Sequence, residues 1–169
     1  PGKILLPCEG EGRNAVYAAQ KGWDVEAMDF SAEGRKKALS LALKNNVSIN
    51  YKLRDIRNLD HDFIHEYQCI GLFFCHMGQE YRQKFHRQMK NLLPAGGIII
   101  LEAFSKEQLS FGTGGPGHPD LLFTVEMLRN DFSGLQMLEL YQSNEFLNEG
   151  LYHQGEASVV RMVAQKTSD

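Results

Sequence analysis

Cysteine is scarce in this sequence, and its three copies lack the spacing of a metal site or a disulfide framework. Cys8, Cys69 and Cys75 are odd in number, share no C-x-x-C spacing, and lie in or beside apolar runs. Structural zinc sites and disulfide-stabilised domains use cysteines at characteristic, usually paired, spacings. The pattern therefore argues against both kinds of site, and it favours a reducing compartment.

Long hydrophobic runs are also missing. No apolar stretch approaches the ~18 residues that a membrane span requires, and no basic segment followed by an apolar one precedes the first candidate strand. We therefore expect a soluble, cytoplasmic protein that has no membrane partner. The first residue is Pro1 rather than a methionine, so we expect that some N-terminal sequence is missing.

An excess of positive charge is absent as well. Lys and Arg together number 18 against 21 Asp and Glu, which gives a formal net charge of −3 at pH 7. This balance offers no global attraction for nucleic acid or for an anionic membrane. We expect a small-molecule partner, no nucleic acid, and a chain that is a monomer or a weak homodimer.

The residues that are present predict an α/β protein. The chain has 169 residues, of which 43% are hydrophobic, and this predicts a single domain over 1–169 with a core of ordinary size. Apolar runs alternate with segments of helical periodicity in the order β-α-β-α-β-β-α-β, and a short helix and two strands follow. The alternation predicts a mostly parallel sheet with helices on both faces and a C-terminal antiparallel hairpin.

The clearest helical pattern covers 79–93. One stripe of this helix is apolar, and we expect it to face the core: Tyr81, Phe85, Met89 and Leu92. The basic residues are expected to form a solvated face of the same helix: Arg82, Lys84, Arg87 and Lys90.

Residues that carry chemistry gather at the carboxyl ends of the predicted strands. The turn 7–14, PCEGEGRN, follows the first strand, Asp29 ends the second, Asp55 follows the third, and His76 follows the fourth. In open α/β sheets, ligands bind at this edge, where the strand order reverses. We therefore expect these segments to form one binding site.

The turn itself predicts a ligand that contains adenosine. Gly10 and Gly12 allow close backbone approach, and the helix that follows offers free N–H groups to an anionic group. Asp29 lies 17 residues beyond Gly12, near the spacing at which an acidic side chain accepts hydrogen bonds from ribose hydroxyls.

Two cofactor classes fit this turn. The string from Gly10 to Ala15 satisfies G-x-G-x-x-A, so an NAD(P)-dependent oxidoreductase with a Rossmann turn is one alternative. Glu9 and Glu11 would repel the two phosphates of such a cofactor. S-adenosylmethionine has a sulfonium, an ammonium and one carboxylate, which suit an acidic turn with Arg13 beside it. The acidity of the turn therefore favours S-adenosylmethionine.

The sequence resembles the class I S-adenosylmethionine-dependent methyltransferases, and within them those similar to the tellurite-resistance and thiopurine methyltransferases. The matching segments are EGEGRNAVYAAQKGWDVEAMDFS, LRDI, LLPAGGIIILEAF, TGGP and EGLYHQGEA, and they cover nearly the whole chain. The resemblance implies an enzyme with a Rossmann-like, seven-stranded sheet. It also implies methyl transfer from S-adenosylmethionine to a small acceptor, such as a thiol or a chalcogen oxyanion.

The resemblance also implies a role for each segment of the site. The turn would wrap the methionine portion of the cofactor, the end of the second strand would hold the ribose, and the end of the third would bind adenine. The residues implied to bind the cofactor are Cys8, Glu9, Gly10, Gly12, Arg13, Asn14, Asp29, Phe30, Asp55, Ile56, Phe74 and Cys75.

The sequence departs from the family pattern at two positions of the turn. Leu6 stands where the family has an acidic residue at the end of the first strand, and Cys8 replaces the first glycine. We expect Glu9 or a carbonyl near Cys75 to replace the missing acid in holding the methionine ammonium. The same departures leave a noncatalytic S-adenosylmethionine-binding protein as a further alternative.

Two histidines are the candidate catalytic residues. His76 or His153 would act as the base where the acceptor must lose a proton, whereas a thiolate or a chalcogen oxyanion would need no base. No metal is expected. The glycine-rich segment 104–122 is predicted to act as a lid over the site.

Overall fold

The computed structural model describes residues 1–59, 66–148 and 154–168. Within these ranges the strands are β1 (Lys3–Pro7), β2 (Asp24–Asp29), β3 (Asn50–Leu53), β4 (Cys69–Phe73), β5 (Ile98–Phe104), β6 (Gln136–Asn148) and β7 (Gln154–Gln165). The α-helices of the same ranges are α1 (Arg13–Gln20), α2 (Ala32–Lys44), α3 (Gln79–Asn91) and α4 (Val125–Asp131).

The strands form one sheet in the order β3-β2-β1-β4-β5-β7-β6. The strands from β1 to β5 are parallel to one another, and β7 lies antiparallel between β5 and β6. The predicted seven-stranded, mostly parallel sheet with its C-terminal hairpin is therefore confirmed. Strand order reverses between β1 and β4, so the ligand crevice of such a sheet is expected there.

Both faces of the sheet are buried at its central strand β1. Leu5 and Leu6 are neighbours in β1, and their side chains point to opposite faces because successive side chains of a strand alternate. Leu5 packs in a cluster with Met89 of α3, while Leu6 packs in a second cluster with Val16 of α1. The helices on the two faces therefore hold the carboxyl ends of the strands at a common edge.

The helix starts beside that edge are fixed by local chemistry. The Ser31 hydroxyl accepts a hydrogen bond from the Gly34 N–H at 2.9 Å and caps α2. Gly12 precedes α1 with φ of 85°, and a side chain there would collide with Ala38 of α2. Glycine at this position therefore lets α1 and α2 pack closely beside the turn.

The prediction that Arg82 belongs to a solvated face of α3 is wrong. Its side chain is 3% exposed and donates from Nε to Oδ2 of Asp131 in α4 at 2.7 Å. Nδ1 of His86 lies 2.9 Å from the same Oδ2. Tyr81, expected in the core, is 49% exposed. The buried partner in α4 lies 49 residues further along the chain, so helical periodicity alone could not reveal it.

Electrostatics make this cluster sensitive to the loss of any member. Burial alone would raise the pKa of Asp131, but the hydrogen bonds from His86 and Arg82 outweigh it and lower the pKa. Burial lowers the pKa of His86, and its Nε2 has no hydrogen-bond partner among the described residues. Asp131 is therefore the anion that compensates the buried Arg82 guanidinium.

None of the helices that the structure describes combines the length and the apolar character that crossing a membrane requires.

We expect Asp131→Ala to destabilise the fold by about 3–5 kcal/mol, because it leaves the Arg82 charge buried without its partner. Urea unfolding at pH 7 measures this change. Glu126→Ala, at an exposed position of the same helix, is the matched control and should stay within about 0.5 kcal/mol of the parent protein. A loss below about 1 kcal/mol in Asp131→Ala would contradict the assigned role.

Candidate functional site

A cavity of about 620 Å³ opens at the carboxyl edge of the sheet, beside the point where strand order reverses. It is lined by Cys8, Asp29, Phe30, Arg54, Asp55, Ile56, Arg57, Phe74, His76, Met77, Gly78 and Tyr81. The volume lies in the range of pockets that bind small ligands. The ends of β1, β2, β3 and β4 thus meet in one cavity, as the strand-end pattern predicts.

Asp29 connects two walls of this cavity. It ends β2, and its Oδ2 accepts a hydrogen bond from the Gly10 N–H at 3.1 Å, while its Oδ1 accepts one from the Ser31 N–H at 2.9 Å. The carboxylate is buried and fixed by backbone donors on both sides. It therefore holds the turn after β1 against the start of α2.

Phe30 and Ile56 supply apolar surface at the cavity wall. Phe30 is 78% exposed, an unusual state for a large aromatic side chain, and its ring contributes to the cavity lining. Ile56 begins the 3-10 helical turn Ile56–Asn58 and is half-buried in the same wall. The two side chains offer a flat, partly apolar surface that suits a planar ring.

Asp55, which precedes Ile56 in the chain, also lines the cavity. It caps the turn Ile56–Asn58, and the Arg57 guanidinium donates to its Oδ2 from Nη2 at 2.6 Å. Hydrogen bonds from Arg57 lower the pKa of Asp55 to about 2, so the carboxylate is ionised at neutral pH. An ionised Asp55 offers a hydrogen-bond acceptor at the cavity.

Sequence reasoning did not identify five of the lining residues. They are Arg54, Arg57, Met77, Gly78 and Tyr81. Their common signal is position, because the first four lie within a few residues of the ends of β3 and β4. Tyr81 lies on the first turn of α3. Helical periodicity predicts that it faces the core, and this prediction hides its place in the cavity wall.

Glu9 and Glu11, whose charges were expected to face the cofactor, do not line the cavity. Glu9 is buried, and its Oε1 accepts a hydrogen bond from the Ala15 N–H at 2.6 Å in the first turn of α1. Glu11 is exposed and pairs with Lys37 at 2.5 Å. Among the described residues that line the cavity, neither glutamate is present. The free N–H groups at the start of α1 explain the orientation of Glu9.

Burial dominates the ionisation of Glu9. It raises the pKa of this carboxyl to about 7, even though hydrogen bonds from Ala15 and Asn14 act in the opposite direction. Asn14 and Arg13 are exposed at the start of the same helix. Glu9 is therefore a helix-capping carboxyl that titrates near neutral pH.

The expectation that the cysteines form no disulfide is wrong. Cys8 and Cys75 are joined by a disulfide bond with a Cα–Cα distance of 5.7 Å and a sequence separation of 67. The spacing of the cysteines in the sequence does not predict this disulfide, because the two residues meet only when β1 and β4 pair in the sheet. Cys69 is buried and free, and burial raises the pKa of its thiol to about 11.

Backbone strain accompanies this disulfide. Cys8 has φ of 56° and Phe74 has φ of 51°, both in the left-handed region that residues with side chains seldom adopt. Such residues cost on the order of 1 kcal/mol each and cluster at binding sites. Both turn the chain sharply at the end of a strand, and both line the cavity.

His76 is held by backbone groups on both sides of its ring. Nδ1 lies 2.8 Å from the carbonyl oxygen of Leu121, so Nδ1 carries the proton, and Nε2 accepts from the Phe104 N–H at 3.4 Å. The ring also stacks on Phe104, with centroids 5.6 Å apart. The structure thus joins His76 to β5 and to the end of the glycine-rich segment. His153 lies outside the described residues.

The glycine-rich segment packs along β5 and β7. Gln108 is buried, accepts from the Ser158 N–H at 2.8 Å, and donates from Nε2 to the Thr113 hydroxyl at 3.0 Å. Gly115 lies against Phe104, where a larger residue would collide with the ring. These contacts place the segment beside the aromatic side chains that border the cavity, and its action as a lid stays a prediction.

The chain is similar to known methyltransferases. Residues 4–97 match a family model described as "Methyltransferase domain". TehB from Haemophilus influenzae superposes with a TM-score of 0.76 at 21% identity, covering 98% of this chain and 57% of that one. A S-adenosylmethionine-dependent methyltransferase from Clostridium acetobutylicum ATCC 824 gives 0.76 at 13% identity, covering 99% and 85%.

A further structure is that of the N-methyltransferase NodS from Bradyrhizobium japonicum WM9 in complex with S-adenosylhomocysteine. It gives a TM-score of 0.72 at 12% identity and covers 99% of this chain and 78% of that one. At such identities these likenesses show the fold. The chain spans little more than half of the TehB chain, and no curated protein sequence matches it.

Glu9→Gln should change how stability depends on pH. The folded-state pKa of about 7 lies above the ordinary value of 4.5, so the stability from protonated Glu9 is complete below pH 4.5 and is lost as pH rises through 7. Glutamine keeps an acceptor for the Ala15 N–H and does not ionise. The variant should match the parent near pH 4.5 and exceed it by up to about 3 kcal/mol at pH 8.

Urea unfolding of both proteins across this pH range measures the difference, and Glu11→Gln at the exposed position is the control. Parallel pH profiles for the Glu9→Gln variant and the parent protein would contradict the raised pKa.

Proposed function

We propose that this chain, which belongs to the methyltransferase domain family, is a class I S-adenosylmethionine-dependent methyltransferase. Its cavity of about 620 Å³ would bind the cofactor for methyl transfer to a small acceptor. The observation that carries this proposal is the meeting of four strand ends in one cavity, with Asp29 and Asp55 on one side and Cys8 and Phe74 on the other. The matched residues 4–97 include all four strand ends.

We assign the adenosine end of the cofactor to the ends of β2 and β3. Asp29 accepts hydrogen bonds from the ribose hydroxyls, because its carboxylate is already fixed at the cavity by backbone donors. Phe30 and Ile56 contact the adenine ring, and Asp55 accepts from its amino group. The exposure of Phe30 supports this assignment, since a bound ring would cover the apolar surface.

We assign the methionine end to the ends of β1 and β4. Gly10 and Gly12 let the chain approach the ligand closely, and exposed Arg13 beside Asn14 offers a cation to its carboxylate. The Glu9 carboxylate is engaged with the start of α1, so we favour a carbonyl near Cys75 as the acceptor for the ammonium group.

When bound, S-adenosylmethionine supplies a methyl group that its sulfonium has already made electrophilic. The protein's residues then have to align the acceptor with the methyl group and exclude water. Phe74, Phe104 and His76 form an aromatic group beside the cavity that serves both tasks, with ring centroids of the two phenylalanines 4.8 Å apart.

The surroundings of His76 favour an acceptor that needs no base. Both of its ring nitrogens hydrogen-bond to backbone groups, which makes it a poor proton acceptor unless Nε2 leaves the long contact with Phe104. We therefore propose a thiolate or a chalcogen oxyanion as the acceptor class, in agreement with the resemblance in the sequence. For other acceptors, His76 or His153 stays the proposed base.

Asp29→Asn should weaken the binding of S-adenosylhomocysteine by about 10- to 100-fold, because a hydrogen bond to a charged group contributes about 1.5–3 kcal/mol. Isothermal calorimetry measures the affinity. Asp24→Asn, at the exposed opposite end of the same strand, is the control and should bind like the parent. Equal affinities in all three proteins would remove Asp29 from the proposed ribose site.

Thermal unfolding with candidate cofactors separates methyl transfer from hydride transfer. S-adenosylhomocysteine at 100 times its Kd should stabilise the protein by about 2.7 kcal/mol and raise the Tm, whereas NAD(P) should not. A rise with NAD(P) alone would favour the oxidoreductase. A panel of thiols, selenium and tellurium oxyanions, amines and phenols then tests for turnover of S-adenosylmethionine. Binding of S-adenosylhomocysteine with no turnover of S-adenosylmethionine for any of these acceptors would favour a noncatalytic protein.

A further inference from the structure

We propose that Cys8 and Cys75 form a redox-sensitive clamp on the cofactor turn, and that reduction of their disulfide loosens the turn and weakens cofactor binding. The proposal deepens the proposed function, since its effect on ligand affinity rests on S-adenosylmethionine binding in this cavity. The effect on the turn itself is independent of any ligand.

The disulfide lies where the ligand crevice of the sheet is expected. Cys8 follows β1 and Cys75 follows β4, and these are the adjacent strands between which the strand order reverses. The bond therefore spans the crevice in which an open α/β sheet binds its ligand. A purely structural disulfide has no need of this location, because β1 and β4 are already paired within the sheet.

Access to the two sulfur atoms differs. Cys8 is half-buried and lines the cavity, whereas Cys75 is 4% exposed. A low-molecular-weight thiol that enters the cavity can therefore attack Sγ of Cys8, and the sulfur of Cys75 leaves as a thiolate that takes up a proton. A second thiol then attacks the incoming sulfur of the mixed disulfide and releases Cys8.

The overall step is balanced. One protein disulfide and two small thiols give two protein thiols and one small disulfide, so two electrons and two protons pass to the protein. Any small thiol or dithiol can serve as the reductant, and a disulfide or peroxide oxidant reverses the change.

Release of the bond moves the part of the turn that the proposed site uses. Two sulfur atoms that are no longer bonded separate to van der Waals contact, about 3.5–4 Å. Cys8 is held with φ of 56°, a strained conformation that the bond to Cys75 helps to maintain. The next two N–H groups donate to the carbonyl of Met28 and to Oδ2 of Asp29, each at 3.1 Å. Loosening at Cys8 therefore reaches the carboxylate proposed to hold the ribose.

The expected effect on affinity follows from the fraction of molecules with a competent turn. The organised site is the one found with the disulfide intact, and the proposal assigns the loosened turn to the reduced protein. If reduction leaves about one molecule in ten with this turn conformation, the apparent Kd rises about tenfold.

The test compares the oxidised protein with protein reduced by a phosphine. Hydrogen exchange of the amides at 8–12, without ligand, should be about tenfold faster after reduction. Calorimetry with S-adenosylhomocysteine should show a Kd about tenfold higher in the reduced protein. Equal exchange rates, equal affinities, or tighter binding by the reduced protein would each overturn the proposal.

Failure of the proposed function gives a different result. If neither state binds S-adenosylhomocysteine while exchange at 8–12 still depends on the redox state, the cofactor assignment fails and the clamp stands. Thiol titration of the unfolded protein gives a further criterion: it should find one free thiol after oxidation and three after reduction. Three free thiols under oxidising conditions would overturn the proposal.

Two variants complete the design. Cys69→Ala removes the buried free thiol at the opposite end of β4, and its response to reduction should equal that of the parent protein. The double variant Cys8→Ser, Cys75→Ser should lose the response and show the exchange rates of the reduced protein. If the double variant does not fold, the proposal is still tested by hydrogen exchange and calorimetry on the oxidised and reduced forms of the parent protein and of Cys69→Ala.

Discussion

The hydrogen bond from the Gly10 N–H to Oδ2 of Asp29 is the interaction on which the candidate site depends. It joins the turn after β1 to the end of β2, and the second carboxylate oxygen continues the connection to the Ser31 N–H at the start of α2. A single buried side chain thus fixes the relative positions of two strand ends and one helix. The two hydrogen bonds thus connect the three segments that border this part of the cavity.

The other side of the cavity is organised around β4. The chain turns sharply at Phe74, the disulfide holds Cys75 against the turn after β1, and the His76 ring bridges β5 and the glycine-rich segment. Behind this wall, the buried pair of Arg82 and Asp131 fixes α3 to α4. Rigid packing behind the site and strained backbone at its surface are a combination expected where a ligand must be held in one orientation.

Local signals allowed much of the fold and site to be predicted. Asp29 ends β2 as predicted, because the pattern that marks a strand and its end depends on neighbours in the sequence. The Cys8–Cys75 bond and the buried Arg82 depend on partners far along the chain, which periodicity does not reveal. The orientation of Glu9 could not be predicted for a different reason. The acidic composition of the turn suggested that this charge faces the ligand, whereas the side chain accepts a hydrogen bond from a free N–H group at the start of α1.

The central claim is that the strand-end cavity binds S-adenosylmethionine with its adenosine end at β2 and β3. A crystal structure with S-adenosylhomocysteine tests this most directly. The account predicts ribose hydroxyls within hydrogen-bonding distance of Asp29, adenine against Phe30 and Ile56, and the amino-acid end between Cys8 and Cys75. A ligand bound elsewhere, or one that lies in this cavity with its ribose away from Asp29, would contradict it.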